Sequence, residues 1–248
     1  MSEPRVSDFP TAYTLEFVTR HLPPSCRRIL EIGSGDARLA RALLDLGYDV
    51  TAIDPDESAV AAAKQLGVTA IQCAWPRSPT PISGFDAVLF SRSLHHVQYL
   101  DEAVERAREA LTEGGRILIE DFAFNEVDRS SASWFSGIVR ALIASGGLTS
   151  SDPWILEMAT SDSPLAAWAR YHDHDLHPFS LVDSAMRRVF RETQQSDAAY
   201  FFRYLSAAID DPRRRGAIQQ AVASGEESLA ATGAIRALGR RIVARRAG

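Results

Sequence analysis

The first half of the chain alternates between short apolar runs and segments whose apolar residues recur every three or four positions. The short runs predict buried β-strands, and the segments between them predict amphipathic helices. This alternation is typical of a parallel sheet with helices on both faces. The predicted strands are residues 28–30, 48–54, 68–73, 85–90 and 116–121, and the predicted helices are residues 36–46, 56–66 and 101–111.

The alternation stops in the second half of the chain. Apolar residues recur at helical spacing over residues 134–143, which predicts a helix, and residues 190–195 predict a sixth strand. Asp211–Pro212 is typical of a helix start, although the arginines at 213–215 would oppose that helix dipole. We therefore expect one domain, 1–248, with a core of about 27–121 and 190–248 and a helical lid insertion of about 122–189.

Composition is that of an ordinary intracellular protein. With 248 residues and 46% hydrophobic content, the chain can bury a full α/β core. The net charge of -5 argues against non-specific binding to nucleic acid or anionic membranes, so a small-molecule substrate is expected. Cys26 and Cys73 have no disulfide or metal spacing and fit small buried residues in a reducing compartment. Without an apolar signal core or a membrane-length run, the cytoplasm is the expected location, and the oligomeric state cannot be predicted.

Glu31-Ile32-Gly33-Ser34-Gly35-Asp36 lies between the first strand and the first helix of this pattern. Glycines at such a turn allow backbone angles and a close ligand approach that a Cβ would block. The helix start adds N–H groups that lack intrahelical partners. A nucleotide-like ligand is therefore expected here.

The spacing indicates which nucleotide. A dinucleotide fingerprint needs a third small residue where this chain has Arg38. Glu31 and Asp36 would repel a diphosphate but suit a cationic or amino-bearing ligand. Asp54 ends the second strand, where a carboxylate can bind ribose hydroxyls. Together these features predict S-adenosylmethionine.

At this point residues 27–121 resemble the class I S-adenosylmethionine-dependent methyltransferases. Five ordered segments carry the resemblance: Glu31-Ile32-Gly33-Ser34-Gly35, Asp54-Pro55, Phe85 to Phe90, Leu94-His95-His96 and Leu111 to Ile119. The family implies a Rossmann-like α/β fold with a seven-stranded, mostly parallel sheet. Its last strand is antiparallel, and residues 238–246 resemble it.

The resemblance also implies where the donor binds. Gly33 and Gly35 would approach the methionine part, Ser91 would line it, Glu31 would reach its ammonium indirectly, and Asp54 would hold the ribose. For Glu31 and Asp54 the alternative is a solvated strand end or a helix cap. The third strand lacks the family's usual adenine-binding acid, so the base would rest on backbone groups and Trp75. The expected cofactor-binding residues are Glu31, Gly33, Ser34, Gly35, Asp54, Pro55, Cys73, Ala74, Trp75 and Ser91.

Histidines are the candidates for acid–base chemistry. His96 is the first choice for a general base, with His95 and His172 as alternatives, because an imidazole titrates near neutral pH. Loop capping is the competing role for His95 and His96. His172, His174 and His177 could instead pack in the lid or touch the acceptor. A metal site is not predicted, because no other His or Cys run supplies partners.

The sequence thus predicts transfer of the donor's methyl group to an unidentified small molecule by direct displacement. Proximity, alignment and exclusion of water would be sufficient unless the acceptor needs a base. Two other functions stay open. One is a donor-binding protein that does not methylate and uses the cofactor structurally or catalyses a rearrangement, and the other is a nicotinamide oxidoreductase.

Overall fold

The structure, a computed structural model, describes residues 8–78, 82–148, 152–173 and 175–247. Residues 79–81 of the proline-rich loop that follows the third strand, and His174, lie outside this part. The helices are α1 Phe9–His21, α2 Arg38–Asp45, α3 Glu57–Gln65, α4 Leu100–Ala110, α5 Arg129–Ala144, α6 Pro153–Thr160, α7 Pro164–Tyr171, α8 Phe179–Val189 and α9 Pro212–Ala231. The strands are β1 Arg28–Ile32, β2 Asp49–Asp54, β3 Thr69–Gln72, β4 Phe85–Ser91, β5 Leu111–Phe122, β6 Thr193–Ala198 and β7 Gly239–Arg245.

The seven strands form one sheet in the order β3-β2-β1-β4-β5-β7-β6. Strands β1 to β5 pair in parallel. Strand β7 runs antiparallel to β5, since Gly114 N–H donates to the Arg246 carbonyl and Arg246 N–H donates to Gly115. This architecture confirms the predicted fold class. The strand order reverses between β1 and β4, and ligands of open α/β sheets bind beyond the carboxyl ends of strands at such a reversal.

The central strands form because they are apolar on both faces. Ile29, Leu30 and Ile32 in β1 and Val88 and Leu89 in β4 are at most 2% exposed. Helices on the two sides exclude water from these strands, which is why parallel strands show continuous apolar runs rather than alternation. The same burial fixes where each strand ends, and so where the loops that follow β1, β2 and β4 lie.

Aspartate side chains cap the starts of two of these helices. Asp56 accepts a hydrogen bond from the Ser58 N–H and caps α3. Asp211 caps α9, with Pro212 at its first position. Arg215 is partly explained by the structure, because its Nε donates to the Ile209 carbonyl at 2.6 Å and its Nη2 donates to Asp210 at 3.1 Å.

Two predicted strands were wrong in their bounds. Strand β6 begins at Thr193 rather than 190, because Phe190 N–H bonds to the Met186 carbonyl and continues the last turn of α8. Strand β5 begins at Leu111 rather than 116. Gly114 and Gly115 belong to β5 and do not form a turn before it. They lie where the pairing of β4 with β5 shifts in register, between Phe85 and Ala87.

The chain divides into two compact units. The first comprises the residues up to Asp121, Phe179–Ser196 and the segment from Arg241 onward, and it contains β1 to β4. The second comprises Phe122–Pro178 and Asp197–Arg240 and contains helices α5, α6, α7 and α9. The predicted helix over 134–143 is part of α5, with Phe135 and Val139 completely buried. Within the described residues, no helix combines the length and apolar character that crossing a bilayer requires.

Candidate active site

The turn between β1 and α2 is held by a backbone hydrogen bond to β2 and by another within the turn. Gly33 N–H donates to the Ile53 carbonyl at 2.7 Å, and Ala37 N–H donates to the Ser34 carbonyl at 2.8 Å. Gly33 and Gly35 take φ values of 74° and 51°, which L side chains adopt only with strain. The turn therefore needs its glycines for backbone geometry.

Close packing adds a second requirement at Gly33. A Cβ at that position would lie 2.4 Å from Ser93 Cβ, whereas a Cβ at Gly35 would meet nothing within 4 Å. The Ser93 hydroxyl donates to the Ile32 carbonyl at 2.5 Å and ties the loop after β4 to the end of β1. Gly33 is thus needed inside the protein, while Gly35 leaves open space beside the backbone.

Asp54 organises the edge of this turn. Its Oδ2 accepts from Gly35 N–H at 2.9 Å, and its Oδ1 accepts from Asp56 N–H at 3.0 Å. The residue is only 8% exposed. Because each carboxylate oxygen has two lone pairs, both oxygens keep acceptor capacity for a hydroxyl.

Glu31 and Ser34 are the unusual polar groups here. Both are buried, and Glu31 Oε2 and Ser34 Oγ have no hydrogen-bonding partner. Burial raises the pKa of Glu31 to about 8; the Arg92 charge opposes that rise, and Asp36 and Asp54 add to it. Buried polar atoms without partners are costly and therefore indicate an unmet partner such as a ligand or water.

The end of β3 was predicted to support the adenine base. Cys73 is buried and donates its N–H to the Asp54 carbonyl at 3.0 Å, while Ala74 and Pro55 are exposed. Trp75 is buried, and its indole N–H donates to the Ala103 carbonyl in α4 at 3.0 Å. The indole N–H of Trp75 already has a partner within the protein, so only the face of its ring could contact a ligand.

The paired histidines after β4 differ in their surroundings. His95 is 4% exposed, and its Nδ1 lies 2.5 Å from Oδ1 of Asp121, which is itself 1% exposed. His96 is exposed, with its ring centroid 4.1 Å from that of His95. A carboxylate on Nδ1 fixes the tautomer and orientation of an imidazole. His95 is thus the oriented member of the pair and His96 the accessible one.

His172 lies in the second unit, in an aromatic cluster. Its Nδ1 lies 2.9 Å from the Trp168 carbonyl, and its Nε2 lies 2.8 Å from the Tyr204 hydroxyl. Its ring stacks on Trp168 at 4.1 Å. Burial raises the pKa of Tyr204 well above its usual value, so Tyr204 stays a neutral phenol. Both nitrogens of His172 are therefore engaged within this cluster.

No metal centre is formed by these side chains. Among the residues that the structure describes, no three His, Cys, Asp or Glu side chains come together as a metal would require. His174 lies outside that part of the chain. Cys26 and Cys73 are free thiols, the first partly and the second fully buried.

The residues of the first unit fit S-adenosylmethionine. A buried carboxyl oxygen and a buried hydroxyl oxygen lack partners beside the turn, and open space lies beside Gly35. Asp54 retains acceptor capacity where ribose hydroxyls would need it. Acids next to the turn favour a cationic ligand over a diphosphate.

The comparisons with known proteins agree with this geometry. A family described as "Methyltransferase domain" matches residues 30–117. Residues 30–117 thus carry a methyltransferase domain. This match spans β1 to β5 and includes the glycine turn, Asp54 and the loop after β4.

Individual relatives match over part of their length. A ubiquinone biosynthesis O-methyltransferase of Xylella fastidiosa is 27% identical over 137 residues, which cover 51% of this chain and 52% of that protein. The chain thus spans about half the length of the curated relatives that it matches.

Solved structures show the fold alone. A possible histamine N-methyltransferase of Thermotoga maritima superposes with a TM-score of 0.53 at 16% identity, covering 96% of this chain and 89% of that one. The cyclase SpnF gives a TM-score of 0.56 at 16% identity, covering 94% and 80%.

Three residues beside the methyltransferase turn were not singled out from the sequence. Asp121 holds His95, Ser93 holds the end of β1, and Arg92 follows β4 with a φ of 57°. The signal for Asp121 was available, since an acid ends the predicted fifth strand at the edge where His95 was expected. Nothing local predicts the conformation of Arg92.

Proposed function

We propose that this protein is an S-adenosylmethionine-dependent methyltransferase whose acceptor is a small molecule. One observation carries the proposal: beside a glycine turn of the methyltransferase type, buried Glu31 and Ser34 keep polar atoms without partners. The net charge of -5 supports a small acceptor over nucleic acid. The named relative, an O-methyltransferase of ubiquinone biosynthesis, supports the same class of acceptor.

The chain's own residues would bind and orient the donor. Asp54 would accept hydrogen bonds from the ribose hydroxyls while keeping the Gly35 and Asp56 N–H groups. Glu31 would interact with the ammonium of the amino-acid end, directly or through water, and Ser34, Ser91 and the glycine backbone would line that end. When bound, the donor supplies a methyl group that its sulfonium already activates. Alignment and exclusion of water are then the protein's main contributions.

A general base is needed only for an acceptor that must lose a proton. His95 is the oriented candidate because the Asp121 carboxylate contacts its Nδ1 and fixes the orientation of the ring. His96 is the more accessible candidate. His172 has both nitrogens engaged by Trp168 and Tyr204, so for it we favour packing over proton transfer.

The second unit contains an aromatic cluster of its own. Trp154 stacks against Tyr171 at 4.3 Å, and Tyr171 is 45% exposed. The Trp154 indole N–H is buried without a partner, so it could donate to an oxygen of a bound molecule. By itself, this cluster suits a small molecule that has an apolar or aromatic body and an oxygen able to accept a hydrogen bond.

The first test is ligand binding. S-adenosylhomocysteine should raise the melting temperature, because a ligand that binds only the folded state stabilises it, and NADH should not. Titration calorimetry provides the affinities. Micromolar binding of NADH together with no response to S-adenosylhomocysteine would reject the proposal in favour of an oxidoreductase.

The second test is methyl transfer itself. Incubation with methyl-labelled donor and fractionated small-molecule extract should yield a labelled product, which mass spectrometry would identify. The matched control is an Asp54→Ala variant, which should give little label at limiting donor. Tight donor binding with no labelled product from any fraction would instead support the non-methylating alternative. A cyclase, SpnF, has a similar fold.

A further inference from the structure

Arg92 occupies a strained position directly after β4. Its φ is 57°, in the left-handed region that residues other than glycine and asparagine rarely adopt. Its N–H donates to the Glu120 carbonyl at 2.7 Å, which holds the backbone there. Strain of this kind persists where the surrounding structure enforces it, often at functional sites. The chain thus places an arginine where glycine or asparagine would be less strained.

The loop that contains Arg92 belongs to the donor site. Ser91 precedes it at the end of β4, and Ser93 follows it with its hydroxyl on the Ile32 carbonyl. Ser93 Cβ also packs where a Cβ of Gly33 would lie. Arg92 therefore lies between two residues of the site, and the backbone around it is fixed on both sides.

The guanidinium of Arg92 is exposed and forms no ion pair with any carboxylate in the described part of the chain. Its Nη1 lies 3.3 Å from the Ser91 hydroxyl. Its charge acts on buried Glu31, where it counters the effect of burial on the pKa of that carboxyl. A guanidinium group and a buried carboxyl group with an unpartnered oxygen thus both lie beside the glycine turn.

We propose that Arg92 binds the carboxylate of the donor's amino-acid end, while Glu31 accounts for the ammonium of the same zwitterion. This inference rests on the proposed function. An α-amino acid carries one negative and one positive group on the same carbon, so a site that holds it needs a partner for each close together. Guanidinium is the side chain best suited to a carboxylate, because its planar N–H groups pair with both oxygens.

A competing role for Arg92 is to offset the charge of Glu31 without touching the ligand. The two roles differ in which ligands they affect. Recognition of a carboxylate matters only for ligands that carry one. An effect through Glu31 would change the binding of every ligand with an ammonium group, whether or not it has a carboxylate.

The test compares two variants and three ligands by titration calorimetry. Arg92→Asn removes the charge and suits the left-handed backbone, and Arg92→Lys keeps the charge. The ligands are S-adenosylhomocysteine, its decarboxylated aminopropyl analogue, and 5′-methylthioadenosine, which lacks the amino-acid end. Circular dichroism and melting temperature check that both variants fold.

We expect Arg92→Asn to weaken S-adenosylhomocysteine binding by about 10- to 100-fold, the range for hydrogen bonds to charged groups. Binding of the other two ligands should change by less than about twofold. Arg92→Lys should recover only part of the lost affinity, because lysine keeps the charge but not the pairing with both carboxylate oxygens. Equal affinity of Arg92→Asn and the parent for S-adenosylhomocysteine would overturn the inference, as would a parallel change for the decarboxylated analogue. Failure of the parent itself to bind S-adenosylhomocysteine would reject the proposed function instead.

Discussion

Three buried glutamates of this chain show how surroundings decide what one residue type does. Glu120 accepts from Arg241 and Thr14, and Glu226 accepts three backbone N–H groups, from Tyr200, Phe201 and Leu238. Glu31 keeps one oxygen without a partner. Both oxygens of Glu120 and of Glu226 therefore accept hydrogen bonds within the protein, whereas Glu31 has an oxygen that a ligand could contact.

Glu31 should make stability depend on pH. Its folded pKa of about 8 lies above the usual value near 4.5, so the folded state favours the neutral carboxyl. Its stabilising contribution is therefore complete below about pH 4.5 and is lost as pH rises through about 8. Between pH 5 and pH 8, the parent should lose about 2–4 kcal/mol more unfolding free energy than Glu31→Gln, because only the parent has this carboxyl.

Urea unfolding at several pH values provides this measurement. Glu226, whose pKa burial raises to about 7, adds a loss of the same sign in both proteins. Glu113→Gln is the control, because Glu113 is exposed. Parallel curves for Glu31→Gln and the parent would show that Glu31 is not a buried titrating group.

Asp54 should contribute to donor binding and to the turn. Asp54→Ala removes a carboxylate that would hold the ribose and should weaken binding of S-adenosylhomocysteine by about 1–3 kcal/mol. It also leaves the Gly35 and Asp56 N–H groups without this acceptor, so a smaller loss of stability is expected. Asp54→Asn keeps an acceptor oxygen and separates the two effects. Calorimetry with unchanged affinity in Asp54→Ala would remove Asp54 from the binding site.

Substitution of His95 and of His96 should have different effects on stability and on the rate of methyl transfer. His95→Ala removes the partner of a buried carboxylate and should cost about 2–4 kcal/mol of unfolding free energy. His96→Ala, at an exposed position, should cost less than about 0.5 kcal/mol. If either imidazole is the base, its loss should also lower single-turnover rates about 10²- to 10⁴-fold with donor affinity intact. Parental rates across pH in both variants would leave positioning as the mechanism.

At the scale of elements, α1 is fastened to the sheet by one buried cluster. Arg241 of β7 donates two hydrogen bonds to Glu120 of β5, and its guanidinium lies over the rings of Tyr13 and Phe17 in α1. The Thr14 hydroxyl donates to the other oxygen of Glu120 at 2.7 Å. One ion pair thus connects two strands and a helix.

Removing one partner of this pair should be worse than removing both. Arg241→Met leaves a buried carboxylate without its cation and should cost about 3–5 kcal/mol of unfolding free energy. The double variant Glu120→Gln/Arg241→Met should recover part of that loss, because no uncompensated charge remains. A double-mutant cycle by urea unfolding measures the coupling. Strictly additive losses would indicate that the pair does not contribute as a unit.

At the scale of the molecule, strand order places the site. Strands β1 and β4 are neighbours although β2 and β3 separate them in sequence, so the glycine turn and the Arg92 loop meet at the reversal of strand order. The helical segments that the sequence assigned to a lid fall mainly in the second unit, with α5, α6 and α7 packed on one another. That unit carries the aromatic cluster around Trp168.

The sequence alone was sufficient to predict the alternation of strands and helices in the first half, the glycine turn and the acid at the end of β2. These features depend on local requirements: an apolar run that must be buried, a backbone angle that needs glycine, and a cap that needs an acceptor. Their spacing predicted the donor, and the family was a resemblance carried by five ordered segments. The start of β6 was missed because Phe190 is apolar and suits the end of a helix as well as a strand.

The tertiary structure decided which polar groups have partners. Only folding brings Asp121 to His95, Arg241 to Glu120 and Tyr204 to His172, because these pairs are separated by 26 to 121 residues along the chain. The same is true of Arg92, whose N–H donates to the Glu120 carbonyl of another strand and so holds its backbone conformation. Hydrophobic pattern reports which positions are buried, whereas hydrogen bonding between distant residues depends on the complete fold.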